Sequence, residues 1–165
     1  PLTRYSDFVS GLAPAARNHY NRACRAGFSF TADAHPARVY EVIRRNRAWR
    51  GYPLAMSFEA LCETAAVVGI DWHLLSLGDA DVASAVVYRL NPQVAQVIYW
   101  GDVEGYGGER PMNLLARRVA DHYRALGFET LDIGPSSGRG VPDTGLCTFK
   151  ESLGCDLTFK STFLW

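Results

Sequence analysis

The stretch Asp102-Val103-Glu104-Gly105-Tyr106-Gly107-Gly108-Glu109-Arg110-Pro111-Met112 decides how the rest of the chain reads. Before it, Val94 to Trp100 is a β-rich run. After it, an amphipathic helix opens at Pro111, whose fixed φ and missing N–H suit a first helical position. Glycines between a strand and a helix let backbone N–H groups converge, and the helix start adds free N–H groups and a positive dipole end. Such a loop suits a pyrophosphate, although the same pattern also makes plain turns. The loop has neither the lysine of a Walker motif nor full G-x-G-x-x-G spacing, so nucleotide hydrolysis and dinucleotide redox chemistry are poor matches.

Working outward, the helix from Pro111 carries Met112, Leu115, Val119, Tyr123 and Leu126 as its apolar stripe, with Gly127 as its stop. Phe128 to Gly134 then predicts a strand, Thr144 to Leu153 a short helix and Asp156 to Trp165 a final strand. Upstream, Asp71 to Leu77 and Val82 to Leu90 are strands, and Asn91-Pro92-Gln93 turns the second into the run before the loop. Further upstream lie a helical segment over Tyr5 to Ala26 with Pro14 opening its second half, a short strand over Phe28 to Ala32, a helix from Pro36 ended by Gly51-Tyr52-Pro53, and a short helix capped by Ser57. The order α, β, α, α, β, β, β, α, β, α, β predicts a mixed α/β domain.

The 165 residues are 48% hydrophobic and 21% charged, which bounds the chain to one domain over residues 1–165 with a core that needs no disulfide or metal staple. Lys+Arg and Asp+Glu both number 17, so neither a polycationic nucleic-acid module nor an acidic disordered tail fits. The neutrality is uneven: residues 1–52 carry nine arginines against three acids, a local +6 that the remainder offsets. The cysteines (Cys24, Cys62, Cys147, Cys155) and histidines (His19, His35, His73, His122) show no metal-ligand spacing. With no signal peptide and no apolar run long enough for a membrane span, the expectation is a reduced, cytoplasmic protein without metal. His73, in an apolar strand, and His122, on a helix, read as structural.

Three segments together carry a family resemblance. Asp102-Val103-Glu104-Gly105-Tyr106-Gly107 resembles the (Q/R)-x-x-G-x-(G/A) loop of the GNAT N-acetyltransferase superfamily, with both glycines in place and an acid at the first position. Leu131-Asp132-Ile133-Gly134-Pro135-Ser136-Ser137 and Gly145-Leu146-Cys147-Thr148-Phe149-Lys150-Glu151-Ser152-Leu153-Gly154 resemble the D-x-G-x-S and G-L-x-x-F-K-x-x-x-G signature of its FemAB-like branch. Ala16 to Gly27 is similar to the basic helix that begins the second GNAT half of those proteins. The resemblance implies a mixed central sheet flanked by helices, a GNAT-like acyl-CoA N-acyltransferase fold, with this chain supplying the second half of a two-half protein or standing as a single-domain relative.

What the resemblance implies for chemistry is direct attack of an amine on an acyl thioester. The oxyanion donor is expected among the backbone N–H groups around Tyr99 to Gly101. Gly105, Gly107, Gly108, Met112 and Asn113 are the expected contacts of acetyl-CoA or another acyl-CoA. Asp102 and Glu104 are candidates for the proton acceptor, the alternative being that both are solvated loop acids. Lys150 stands four residues before Gly154, where the family commonly has the tyrosine that protonates the departing thiolate. It can act there as a cation, bind a phosphate, or salt-bridge Asp132 or Glu151. Arg50, Asp132, Ser136 and Ser137 are candidate acceptor contacts, and Asp132 can equally cap the turn after its strand.

The implied reaction is acyl transfer to an amino group of a small metabolite, amino sugar or cell-envelope precursor. The alternatives are an aminoacyl-tRNA-dependent FemAB-type transferase, or a non-catalytic half that binds a ligand or partner. Arg44 to Arg50 are expected to attract a phosphate- or carboxylate-bearing acceptor rather than duplex nucleic acid. A second GNAT-like half or a homodimer is the expected protein partner.

Overall fold

The computed structural model describes residues 1–2, 10, 12–138, 140–159 and 161. Three helices open on proline: α1 (Pro14–Arg25), α2 (Pro36–Arg50) and, after the glycine loop, α4 (Pro111–Ala125). Between them, α3 (Phe58–Ala65) starts where the Ser57 hydroxyl accepts the Ala60 N–H at 3.2 Å, satisfying one of the orphan donors of a helix start. Gly51 ends α2 in the left-handed region at φ 67°, a conformation without penalty for glycine.

The strands are β1 (Ser29–Thr31), β2 (Gly69–Leu77), β3 (Ala80–Asn91), β4 (Val94–Asp102) and β5 (Thr130–Asp132), in sheet order β1-β2-β3-β4-β5. The first four pair antiparallel and β5 joins β4 in parallel, so the sheet is mixed as expected. Alternation along the strands sends Leu75, Ala83, Ala85, Val87, Ala95 and Val97 to the face covered by α1 and α4. Trp72, Leu74, Val86 and Tyr99 go to the face covered by α2 and α3. Each fully buried Leu, Val or Ile contributes about 1.5–3 kcal/mol of transfer free energy, which is what holds the helices onto the sheet.

The parallel contact between β4 and β5 spans only Val94–Gln96 against Thr130–Asp132. Beyond Gln96, β4 runs on to Asp102 with its β5 side unpaired. It also bulges there: Tyr99 faces Val86 while Val97 faces Val87, leaving Ile98 as the extra residue. After β5 come a small hairpin, β6 (Ser137–Gly138) with β7 (Val141–Pro142), and α5 (Thr144–Ser152), whose first turn is capped by Asp143 Oδ1 accepting the Leu146 N–H at 2.9 Å.

Four expectations change. The strand over Phe128 to Gly134 shortens to Thr130–Asp132, because Gly134 bends the chain away at φ 76°. Leu126 lies past the last turn of α4 and is 54% exposed, so it does not belong to the buried stripe. Residues Asp156 to Phe159 are irregular rather than strand, with Lys160 and 162–165 outside the described residues. The predicted helix over Tyr5 to Ala26 begins, in what is described of it as a regular helix, at Pro14, with 5–9 and 11 outside the described residues. Among the described residues no helix is long and apolar enough to cross a membrane.

Candidate functional site

The C-terminal end of β4 is where α2, the glycine loop and the gap toward β5 meet. In an antiparallel pair a strand's N–H groups point alternately toward and away from its partner. Along residues 97–102 the groups turned away from β3 therefore face a gap that no strand fills. The gap opens into a cavity of about 730 Å3 whose walls include Trp100, Ala116, Leu131, Ile133 and Lys150. On its far side α5 closes in, with Phe149 edge-on to Trp100 at 6.3 Å between ring centroids.

After Asp102 the chain makes one last sheet bond, Val103 N–H to the Val82 carbonyl at 2.9 Å, and buries the Val103 side chain. It then turns through Gly105 at φ 97° into a single 3-10 turn over Gly107–Glu109. The Glu109 and Arg110 amides bond back to the carbonyls of Tyr106 and Gly107. The amides of Gly105, Tyr106, Gly107 and Gly108 donate to no backbone carbonyl among the described residues. Arg110, in the left-handed region at φ 58°, then turns the chain into α4. The expected glycines thus lie together on one exposed loop with free donors.

A second cation joins the loop's own Arg110 from elsewhere in the chain. The Arg22 guanidinium of α1 lies beside Gly108, where a Cβ would sit 3.8 Å from Nη2. Arg22 was among the basic helix residues that marked the family resemblance, but helical spacing carries no information about a loop 86 positions away.

The remaining candidates divide sharply. Asp102 is buried, its Oδ1 3.4 Å from Arg50 Nη2, and its backbone carbonyl accepts Asn46 Nδ2 at 2.7 Å. Glu104, two residues on, is exposed. Gly101 is a glycine because of Asn46: a Cβ there would fall within 2.7 Å of all three terminal atoms of that buried amide. Its side of the strand is therefore filled by protein and not open to a cofactor. The Tyr99 side chain lies apart from the cavity as well. Its ring faces α2, on the opposite side of the sheet from Trp100, and its hydroxyl accepts the Met56 N–H at 3.2 Å, so the side chain does not enter the cavity. Met112 is half-buried against the α4 core and Asn113 is buried in the first turn of α4.

On the far wall, no ion pair joins Lys150 to Asp132 or Glu151 among the described residues. The lysine is buried and donates to the Gly134 and Pro135 carbonyls at 2.8 and 2.9 Å, fastening the turn after β5 to α5. Both Asp132 oxygens are occupied, Oδ2 by Gln96 Nε2 at 3.0 Å and Oδ1 by the Gly134 N–H at 2.9 Å, so it caps that turn. Ser136 and Ser137 line the cavity. Cys155 lines it too, and burial pushes its thiol up to about 11. No group of His, Cys, Asp and Glu among the described residues is arranged to hold a metal ion.

This architecture is similar to solved structures. FemX superposes with a TM-score of 0.76 at 10% identity, over 93% of this chain and 57% of its own. This is the GNAT fold. The GNAT fold here also matches an aminoglycoside acetyltransferase from an uncultured soil metagenomic sample, with a TM-score of 0.60 at 13% identity over 84% and 93% of the two chains. It matches the ribosomal-protein-alanine N-acetyltransferase of Brucella melitensis biovar Abortus as well, with a TM-score of 0.62 at 12% identity over 84% and 99%. The GNAT-like chain thus spans little more than half of FemX and most of each acetyltransferase. No protein-family model matches the sequence, and a search of curated proteins finds no relative.

Proposed function

We propose that this chain is an acyl-CoA-dependent N-acyltransferase, in which an amine attacks a thioester held along the unpaired edge of β4. The coincidence of that edge with the free amides of Gly105 to Gly108 supports the reading most strongly. Together they offer donors for a pyrophosphate and donors for an oxyanion on one strand and its following loop, the outward strand amides recurring about every 7 Å. Arg22 supplies the positive charge that Asp102 withholds at the head of the loop.

In this reading the amine nitrogen bonds to the thioester carbonyl carbon and the carbonyl electrons move to oxygen, where outward-facing N–H groups of residues 97–102 stabilise the tetrahedral anion. Collapse of the anion breaks the C–S bond and releases the thiolate. Glu104 takes the amine proton directly or through water, being exposed and adjacent. Asp102, tied to Arg50, positions the end of the strand and shares the role only if that pair opens. Lys150 holds the turn after β5 in place rather than meeting the thiolate. The acceptor is a small amine, an amino sugar or a cell-envelope precursor. We place the protein in the cytoplasm, where its four free cysteines stay reduced.

Thermal unfolding with acetyl-CoA tests the proposal. A ligand at a hundred times its Kd stabilises by about 2.7 kcal/mol, so Tm rises clearly. Arg22→Glu removes most of that rise while leaving the Tm of the free protein unchanged. An unchanged Tm at millimolar acetyl-CoA and at millimolar longer acyl-CoA rejects the proposal.

The higher TM-score to FemX than to the acetyltransferases favours one second reading. The chain is then the second half of a FemAB-type enzyme that takes its acyl group from an aminoacyl-tRNA, or a half that binds ligand or partner without catalysis. Binding of charged tRNA with no response to acyl-CoA selects the first of these, and turnover by the isolated chain excludes the second.

A further inference from the structure

Arg47, in the last turn of α2, is half-buried, whereas Arg45 of the same Arg44–Arg50 run is exposed to solvent. Arg44 is held by Glu41 through two hydrogen bonds of 2.7 Å, and Arg50 is paired with Asp102. Arg47 has neither: its Nε is buried without a hydrogen-bond partner, and no described carboxylate forms an ion pair with its side chain. Instead its guanidinium carbon lies 5.6 Å from the centre of the Tyr99 ring and 5.9 Å from that of Tyr52. Tyr99 is fixed by its bond to Met56, while Tyr52 is 52% exposed.

The two rings hold the cation by its attraction to their π faces but cannot accept its N–H bonds. A buried donor left unmade is costly, and a guanidinium offers its donors in a planar fork. The Nε edge is closed to solvent, so what completes the fork is an oxyanion at its terminal nitrogens, bound in the guanidinium plane by paired N–H···O bonds. Tyr99 belongs to the same β4 segment whose outward edge would meet the thioester, so the fork stands one strand face away from the reacting centre.

We infer that Arg47 recognises an oxyanion, the carboxylate or phosphate group carried by the amine acceptor, and so sets which amines are acylated. This rests on the acyltransferase reading for the identity of the ligand as acceptor, but the binding event itself does not. Arg47 is a specificity residue: it fixes the far end of the acceptor while its amine points across β4.

The test is a titration of the protein followed by the 15N-labelled Nε–H resonance of Arg47, assigned by its loss in Arg47→Lys. The probes are matched pairs at millimolar concentration, L-lysine against cadaverine and glucosamine 6-phosphate against glucosamine. The acidic member of at least one pair should shift the resonance and bind about tenfold tighter than its neutral partner, as one charge-assisted fork predicts. Arg47→Lys and Arg47→Met should abolish that preference, Arg44→Ala should keep it, and the pair that responds tells carboxylate from phosphate. Equal binding within both pairs, no shift with any probe, or a preference that survives in Arg47→Met would overturn the inference. Failure of acetyl-CoA to bind, with the Arg47 preference intact, would instead remove only the acyltransferase reading.

Discussion

The two ends of the sheet bury charge in opposite ways. At the end away from the glycine loop, Arg89 reaches Asp71 through two hydrogen bonds, the Tyr123 hydroxyl donates to Asp71 Oδ2 at 2.5 Å, and His73 Nε2 lies 3.4 Å from the same hydroxyl. Tyr123 has one proton and gives it to Asp71, so toward His73 it can only accept. Any bond between the two therefore runs from the histidine ring N–H to the hydroxyl oxygen. At the other end, the Arg47 Nε, the amides of Gly105 to Gly108 and the outer edge of β4 are left open. The contrast separates a polar network that serves stability from a set of unspent donors that serves a ligand.

Breaking the open end should cost activity more than stability. Replacing both Glu104 by Gln and Asp102 by Asn is expected to lower kcat by about 10²–10⁴-fold, with Glu104→Gln alone accounting for most of it, as steady-state kinetics with acetyl-CoA would reveal. An equal loss from Asp102→Asn alone would transfer the proton-acceptor role to the buried acid.

Breaking the closed end should do the reverse. Burial, then the neighbouring His122, pushes His73 down to about 4 from an ordinary 6.5. Between those values the unfolded chain binds a proton that the folded protein refuses, so stability falls as pH drops from about 6.5 to about 4. The loss amounts to at most about 3 kcal/mol. Burial works to raise Asp71, but its bonds to Arg89 and Tyr123 outweigh that and hold it below 3.8, so a further loss begins only at lower pH. Urea denaturation across this range should show the slope, and His73→Phe should flatten it.

Smaller effects sharpen the boundary between the two. Gly101→Ala drives a Cβ into Asn46 and is expected to cost about 1–3 kcal/mol, because the amide is buried and bonded and cannot step aside. Since Gly101 adjoins the open end, its kcat should fall as well. Tyr123→Phe removes one hydroxyl from the closed network and should cost about 1–2 kcal/mol in urea unfolding, with acetyl-CoA binding unchanged.

Much of this was legible in the residues. Prolines at three helix starts, Ser57 as a cap and Gly51 as a stop act locally, and each marks its element's end within a residue or two. The glycine loop was legible for the same reason, since strand, turn and helix follow one another in the chain. Capping of the turn by Asp132 was one of its two readings, but the other partners were not legible, because the Gly134 and Pro135 carbonyls that hold Lys150 and the Gln96 amide that meets Asp132 are backbone groups or neutral side chains that charge pairing does not suggest. The face taken by the Tyr99 ring was not legible because the bulge at Ile98 shifts the alternation of β4 by one residue, and a bulge leaves no mark in an apolar run.

The sequence by itself determined the order of elements, the mixed α/β class and the loop where a phosphate would sit, because period, capping and backbone freedom are properties of neighbouring residues. Only the tertiary structure decided that β4 parts from β5 after Gln96, that Arg22 stands beside Gly108, and that Arg47 lies against two tyrosines with its Nε unsatisfied. Each of these depends on which surfaces close over one another, and a side chain's partner across the sheet is fixed by packing geometry that no local pattern encodes.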